Sequence, residues 1–136
     1  METSKIIGLE KKYIMQTYTR PRFVLDYGKG CYLFDKEGKK YIDFVGGLAT
    51  CLLGHANKGF AEAVKKQIGK ITNLTNLYYT EEQVKLAEKL ASLSGLGKCF
   101  FSNSGAESVE AAIKLARKHT KKTHMISTKE GFHGRT

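Results

Sequence analysis

The chain has 136 residues, of which 41% are hydrophobic, and a formal net charge of +10. No apolar run approaches the roughly 18 residues that a membrane-spanning helix needs, and the N-terminus lacks the long apolar stretch and cleavage site of a secretory signal. We therefore expect a soluble, cytoplasmic protein with one modest core and no membrane partner.

The positive charge is spread along the chain. Lysines occur singly or in pairs at predicted helix and turn positions, and no RRM, zinc-finger or homeodomain pattern accompanies them. This distribution favours a solvated surface and predicts no nucleic-acid partner.

Cys31, Cys51 and Cys99 have neither CxxC spacing nor histidines placed for zinc, so we expect reduced, core-filling thiols and no metal site.

The N-terminal part is predicted to be a helix followed by an antiparallel meander. Ile6, Leu9 and Tyr13 recur on one helical face, and the helix is predicted to extend to about Tyr18, before Pro21. Apolar and aromatic residues then alternate with two polar connections that contain glycine, YGKG and DKEGKK. This arrangement is typical of three antiparallel strands.

Two amphipathic helices are predicted next. The first runs from about Asn57 to Lys70, with apolar residues every four positions. The second begins after Thr80, where TEEQ has the pattern of a capping box, and ends at Gly95. We expect each helix to bury one apolar stripe.

The last third of the chain has the pattern of a βαβ unit. KCFFS and THMIST are short apolar runs suited to buried strands, and ESVEAAIKLARKH between them is predicted to be a helix. Its inward face would consist of Val109, Ala112, Ile113 and Ala116. A change of composition near Gly54 predicts an antiparallel piece in residues 1–53 and the start of an α/β piece in residues 54–136.

The strand-to-helix turn NSGA has features of a phosphate site. Gly105 and Ala106 would let a ligand approach the backbone closely, while Ser104 and Glu107 form a capping box that fixes the helix start. Free N–H groups and the positive end of the helix dipole would then point outward. The turn lacks both GxxxxGK[ST] and GxGxxG, so a mononucleotide or a vitamin phosphate fits better than a dinucleotide. Ordinary helix capping remains the alternative.

The segment EGFHGRT follows the second predicted strand and should lie at the same edge of the sheet. Phe132 could stack on a flat heteroaromatic ring, and Arg135 could bind a carboxylate with two parallel hydrogen bonds; His133 lies between them. The alternatives are a core position for Phe132 and a surface charge for Arg135.

Several motifs occur together in one order: GCYLFDKEGKKYIDFVGGLATCLLGH, TNLYY, SNSGAESVEAAIKLAR and GFHGRT. Over nearly the whole chain they resemble the N-terminal part of class III pyridoxal-phosphate aminotransferases, closest to those acting on acetylornithine and other omega-amino donors. The resemblance implies fold type I, with the meander belonging to the small domain and the βαβ unit beginning the large cofactor-binding domain. It also implies a cytoplasmic homodimer that transfers the amino group to 2-oxoglutarate in amino-acid biosynthesis.

The resemblance assigns roles to individual residues. Ser104, Gly105 and Ala106 would bind the phosphate of pyridoxal 5′-phosphate, and Phe132 and His133 would lie at its ring. Arg135 would bind the substrate α-carboxylate, and Tyr18 would line the substrate pocket. TNLYY would belong to the subunit contact.

The chain departs from the family pattern at two places. Asn57 and Lys58 replace a histidine and a proline that are usual in the family. Leu48 replaces a tyrosine that is common in ornithine aminotransferases, and this replacement favours an acetylated donor.

The residues that carry the chemistry in this family are not recognisable in the chain. No lysine here has the sequence context of the Schiff-base lysine, and the acidic partner of the pyridinium nitrogen is also missing. Since Thr136 follows the GFHGR loop directly, we expect an N-terminal fragment that is inactive alone.

The alternative from another functional class is a non-catalytic module that binds phosphate or an acidic partner. Within the family, ornithine, succinylornithine, carrier-bound lysine precursors and 4-aminobutyrate remain open as donors.

Overall fold

The computed structural model describes residues 1–135. Thr136, the last residue of the second predicted domain, lies outside the described residues. The chain forms two compact units, which divide after Leu74. The domain boundary that the sequence composition predicts near Gly54 stays a prediction. The helix that follows that glycine, Lys58–Ile68, belongs to the first of the two units.

The first unit begins with helix α1, Thr3–Tyr13, which is shorter than the predicted helix to Tyr18. Ile14 has extended backbone angles and ends the helix, with its N–H donating to the Glu10 carbonyl. The Gln16 side-chain amide donates to the carbonyl of Ile14 at 2.8 Å. This contact binds a carbonyl that the helix leaves without a partner, so it stabilises the helix end.

The predicted three-stranded meander is confirmed, but the connection predicted at YGKG is wrong, because Tyr27, Gly28 and Lys29 lie in the first strand and only Gly30 and Cys31 separate it from the second. Strands β1 (Leu25–Lys29), β2 (Tyr32–Asp35) and β3 (Lys40–Ile42) pair antiparallel in the order β1-β2-β3. Asp35 closes the second hairpin, because its Oδ1 accepts the backbone N–H groups of Glu37 at 3.1 Å and Lys39 at 2.8 Å. Among the described residues, Asp35 alone is buried, at 5% exposure.

A left-handed helical turn, α2 (Gly46–Ala49), follows the sheet. Its φ angles lie between 52° and 62°, which is costly for Leu48 and Ala49 because both carry a Cβ atom. Helix α3 (Lys58–Ile68) begins at Asn57, whose side-chain oxygen accepts the Phe60 N–H at 2.9 Å. The predicted helix in this region is thus confirmed.

The second unit contains helices α4 (Glu81–Ser94) and α5 (Gly105–Thr120). Gly95 ends α4 in the left-handed conformation, as the sequence predicts. The Thr80 side chain makes no capping hydrogen bond, so the capping box predicted for TEEQ is wrong.

The two strands predicted beside α5 are not present. Residues 98–102 and 123–128 are outside any strand, and the described residues contain one sheet, formed by β1 to β3. A strand exists only with a hydrogen-bonded neighbour about 4.8 Å away. Neither segment has such a neighbour within the described part of the chain, although the helix between them forms as predicted.

The described residues contain no buried apolar side chain. The apolar stripes of α3 and α4, which we expected to be buried, remain exposed; Phe60, for example, is 60% exposed. The three cysteines are free, as predicted, but their core-filling role is wrong, since Cys31 and Cys99 are exposed and Cys51 is half-buried. No helix in residues 1–135 has both the length and the apolar character needed to cross a membrane.

Candidate functional site

The N-terminus of α5 carries the predicted capping box. Ser104 Oγ accepts the Glu107 N–H at 3.2 Å, and Glu107 Oε2 accepts the Ser104 N–H at 3.1 Å. The same carboxylate oxygen accepts the Asn103 N–H at 2.6 Å. These bonds set the helix start, because they bind three donors that the first turn would otherwise leave exposed.

The capping box leaves two amide donors available. Within residues 1–135, no hydrogen bond uses the N–H groups of Gly105 or Ala106. A Cβ atom on Gly105 would meet no atom within 4 Å, so open space adjoins its backbone. Two free N–H groups at the positive end of a helix of 16 residues form an arrangement that binds phosphate oxygens.

An open groove of about 930 Å³ runs from this helix start along α5. The turn contributes Ser104, Gly105 and Ala106 at one end, and the GFHGR loop contributes Phe132, His133 and Arg135. The structure therefore brings together six of the seven predicted site residues. The floor is apolar and contains the whole predicted inward face of α5, together with Met125 and Ile126.

Two glycines shape the loop that closes this groove. A Cβ on Gly131 would lie 2.6 Å from His133 Nε2, which is itself 3.1 Å from the Thr128 carbonyl oxygen. Gly134 has a φ of 103°, and a Cβ there would lie 3.0 Å from Val109 Cγ2. The loop thus packs against α5 at a distance that only glycine allows.

Phe132 and Arg135 present a ring and a cation to the groove. Phe132 is 78% exposed, and the Arg135 guanidinium carbon lies 5.7 Å from its ring centroid. Arg135 makes no ion pair with any described residue. An unpaired guanidinium beside an exposed aromatic face is chemically suited to bind a carboxylate next to a flat ring.

Tyr18, the seventh predicted site residue, belongs to the first compact unit and is 61% exposed. The Arg20 guanidinium carbon lies 6.0 Å from its ring centroid, and Arg20 Nη1 pairs with Glu10 Oε1 at 2.7 Å. These contacts give Tyr18 a local position and leave its predicted role in a substrate pocket untested.

Sequence analysis did not single out the cluster of Asp43, Cys51 and His55 in the first unit. His55 Nε2 lies 2.7 Å from Asp43 Oδ2, and Cys51 Sγ lies 3.6 Å from His55 Nδ1. The available signal was an aspartate and a histidine on either side of the glycine-rich segment VGGLATCLLG, but this segment has no helical or strand pattern that would place the two side chains together.

The chain is similar to proteins of one family along most of its length. The Aminotransferase class-III family matches residues 13–136. An acetylornithine aminotransferase from Archaeoglobus fulgidus is 50% identical over 130 residues, and one from Methanothermobacter thermautotrophicus is 48% identical over 136 residues. These matches cover 96% and 100% of this chain but 35% of each relative. The chain therefore spans about a third of the length of these relatives.

Solved structures agree with the sequence comparison. The acetylornithine aminotransferase from Elizabethkingia anophelis matches with a TM-score of 0.80 and 37% identity, over 85% of this chain and 29% of that protein. An ornithine aminotransferase from Toxoplasma gondii matches with a TM-score of 0.87 and 26% identity, over 100% of this chain and 34% of that protein.

Proposed function

Because the chain belongs to the class III aminotransferase family, whose members are pyridoxal-phosphate enzymes of fold type I, we propose that it is the N-terminal part of such an enzyme. The proposed reaction moves an amino group from acetylornithine, or a related omega-amino donor, to 2-oxoglutarate. The names of the most similar relatives support acetylornithine as the donor.

The observation that carries this proposal is the pair of free N–H groups at the start of α5, in the same groove as an exposed aromatic ring. The N–H groups of Gly105 and Ala106 would donate to the cofactor phosphate, with the Ser104 hydroxyl beside them. The open space at Gly105 fits a phosphate group. When bound, pyridoxal 5′-phosphate supplies an electron sink for the bonds that break at the amine-bearing carbon.

The other residues of the groove would orient the reactants. Phe132 would cover one face of the cofactor ring and keep water from it, with His133 at the ring edge. Arg135 would hold the substrate α-carboxylate through two parallel hydrogen bonds. Tyr18 is proposed to line the substrate pocket in the assembled enzyme.

The catalytic lysine and the acidic partner of the pyridinium nitrogen are proposed to lie in the rest of a longer protein. No lysine lines the groove within residues 1–135. We therefore expect the chain alone to have no transaminase turnover. The exposed apolar faces of α3 and α4 would be covered by the rest of that protein, which would also supply strand partners beside α5.

The proposal extends to assembly and to substrate. Leu77, Tyr78 and Tyr79 are 85%, 62% and 101% exposed, which suits the TNLYY segment to a homodimer contact. Leu48, at 81% exposure, offers an apolar surface that favours an acetylated donor over free ornithine. Succinylornithine, carrier-bound lysine precursors and 4-aminobutyrate stay as alternatives, and a cytoplasmic location stays a prediction.

A hybrid enzyme tests the proposal. In this hybrid, the chain replaces the matched third of the Archaeoglobus fulgidus acetylornithine aminotransferase. We expect it to show the visible absorption band of lysine-bound cofactor and to transaminate acetylornithine with 2-oxoglutarate, while the chain alone does neither. A folded hybrid without the band would overturn the proposal. Binding of inorganic phosphate by the chain, together with a colourless folded hybrid, would instead favour the non-catalytic binding module.

A further inference from the structure

Three side chains in the first unit, Cys51, His55 and Asp43, contact one another in that order, and none of them lines the proposed cofactor groove. Cys51 Sγ lies 3.6 Å from His55 Nδ1, and His55 Nε2 lies 2.7 Å from Asp43 Oδ2. The Asp43 and His55 side chains are 9% and 26% exposed, and Cys51 is half-buried. The proposed aminotransferase function uses none of the three.

Asp43 is held as a charged acceptor. Its Oδ1 accepts the backbone N–H groups of Val45 at 3.0 Å and Gly46 at 2.9 Å, while Oδ2 faces His55. The hydrogen bond from His55, followed by that from Gly46, lowers the pKa of Asp43 below its ordinary value. The carboxylate is therefore ionised at neutral pH and accepts a hydrogen bond from a ring N–H group of His55.

This arrangement assigns the histidine tautomer. Since Asp43 can only accept, His55 Nε2 carries the hydrogen, and Nδ1 presents a lone pair to Cys51. A thiol, a base facing it and a carboxylate that orients the base are the three parts of an activated nucleophile.

The position of His55 is fixed by the backbone around it. His55 and Gly30 exchange backbone hydrogen bonds at 2.8 and 3.0 Å. Gly28 lies so close that a Cβ there would be 2.5 Å from His55 Cγ. Because the backbone of His55 is paired with Gly30 and its ring adjoins Gly28 and Asp43, Nδ1 stays directed at Cys51.

The other two cysteines have no such base. Cys99 Sγ donates to the Ala87 carbonyl oxygen at 3.6 Å, and Cys31 Sγ has no hydrogen-bond partner in the part of the chain that the structure describes. Both are more exposed than Cys51. Exposure alone would make them the faster thiols, whereas activation by His55 predicts the opposite order.

An open cavity of about 370 Å³ adjoins Cys51 and His55, and Leu52, Leu53 and Phe60 contribute apolar side chains to its lining. We propose that Cys51 is a nucleophilic thiol, activated by His55 and Asp43, and that it is a modification site for small disulfides with an apolar substituent. This site is independent of the proposed aminotransferase function.

The reaction is thiol–disulfide exchange. His55 Nδ1 takes the proton from Cys51 Sγ, and the sulfur attacks one sulfur of the disulfide. The S–S bond of the reagent breaks while a new S–S bond forms to Cys51, so Cys51 is oxidised and the reagent is reduced. The departing thiolate takes the proton from His55 and leaves as a thiol.

Site-resolved labelling tests this proposal. The reduced hybrid enzyme, in which the rest of the protein can cover the exposed apolar faces, is treated at low micromolar concentration with dithiodipyridine, and the rates at Cys31, Cys51 and Cys99 are measured by peptide mass spectrometry in buffer and in urea. We expect Cys51 to react at least about tenfold faster than Cys31 and Cys99 in buffer, which is a modest effect for a positioned base. This advantage should disappear in urea.

Two variants test whether His55 and Asp43 cause the faster reaction of Cys51. His55→Gln should lower the Cys51 rate to that of Cys31 or below, without changing the rates at Cys31 and Cys99. Asp43→Asn, which keeps the side-chain shape, should lower it partly, and circular dichroism shows whether either variant keeps its helices. The proposal is overturned if Cys51 has no advantage in the folded hybrid in buffer, if the advantage persists in urea, or if a folded His55→Gln hybrid keeps it.

Discussion

The Tyr41 hydroxyl donates a hydrogen bond to Asp35 Oδ2 at 2.6 Å, across the hairpin that joins β2 to β3. The same carboxylate accepts the backbone N–H groups of Glu37 and Lys39. Its bond to Tyr41 is the largest cause that lowers the pKa of Asp35, and the same bond raises the pKa of Tyr41 to about 12. The aspartate thus links the hairpin backbone to a side chain of the third strand.

Tyr41 should therefore ionise at a higher pH than an ordinary tyrosine. Because its pKa is raised from 10.0 to about 12, its stabilising effect is complete below pH 10 and is lost as the pH rises through about 12. Phenolate absorbance as a function of pH measures this ionisation. Subtracting the titration curve of Tyr41→Phe from that of the chain leaves the contribution of Tyr41 alone. Asp35→Asn should lower the pKa of Tyr41 back toward 10.0. A Tyr41 titration that Asp35→Asn leaves unchanged would show that Asp35 does not cause the shift.

The two predicted caps should differ in their effect on stability. Ser104→Ala removes the acceptor of the Glu107 N–H and should lower the free energy of unfolding by about 1 kcal/mol. Thr80→Ala is the matched control and should cost much less, since the Thr80 side chain makes no capping bond. Urea unfolding of the cofactor-free hybrid enzyme measures both, so that cofactor binding at Ser104 does not contribute, and equal losses would contradict the different roles.

Gly105→Val should weaken cofactor binding in the hybrid enzyme. The space beside Gly105 is empty of protein atoms, so the new side chain would occupy ligand space rather than collide with the helix. Loss of one charge-assisted hydrogen bond corresponds to a decrease in affinity of roughly tenfold or more. Titration with pyridoxal 5′-phosphate measures this decrease. Gly97→Val, at another open glycine, is the control, and equal affinities for the two variants would exclude the phosphate role.

Arg135→Lys should reduce recognition of the substrate carboxylate. The charge remains, but the planar pair of donors is lost, so kcat/KM for acetylornithine should fall roughly 10- to 150-fold. The value for an amine without the α-carboxylate should change little, and cofactor affinity should stay the same. Arg22→Lys, at an exposed position in the other unit, is the control. Equal losses with both donors would show that Arg135 does not bind the carboxylate.

Gly28→Ala should disturb the histidine of the first unit. The new Cβ would lie 2.5 Å from His55 Cγ, so the ring must shift from the position in which it contacts Asp43. Overpacking of this kind costs about 1–3 kcal/mol. Gly8→Ala in α1 meets no atom within 4 Å and should be neutral or stabilising. Urea unfolding compares the two variants, and a Gly28→Ala chain as stable as Gly8→Ala would contradict the close contact.

The sequence by itself determined the features that depend on neighbours along the chain. Contacts within a few residues form the Ser104–Glu107 capping box, the Asn57 start of α3, the Gly95 end of α4 and the DKEGKK turn of the meander. Such contacts recur in any chain with the same local pattern, so they are readable without a structure. The family was recognisable for a related reason, because its motifs are contiguous. The turn predicted at YGKG was wrong, because most of that segment pairs as strand β1.

Tertiary structure alone decided the features that depend on distant partners. The strands expected at residues 98–102 and 123–128 are absent, since a strand needs a neighbour that the local sequence does not supply. The alignment of Cys51, His55 and Asp43 arises because Gly30 pairs with His55 across 25 residues and Gly28 leaves room for the ring. Residue patterns repeat with the periods of helices and strands, whereas contacts of this kind follow only from where the backbone passes in space.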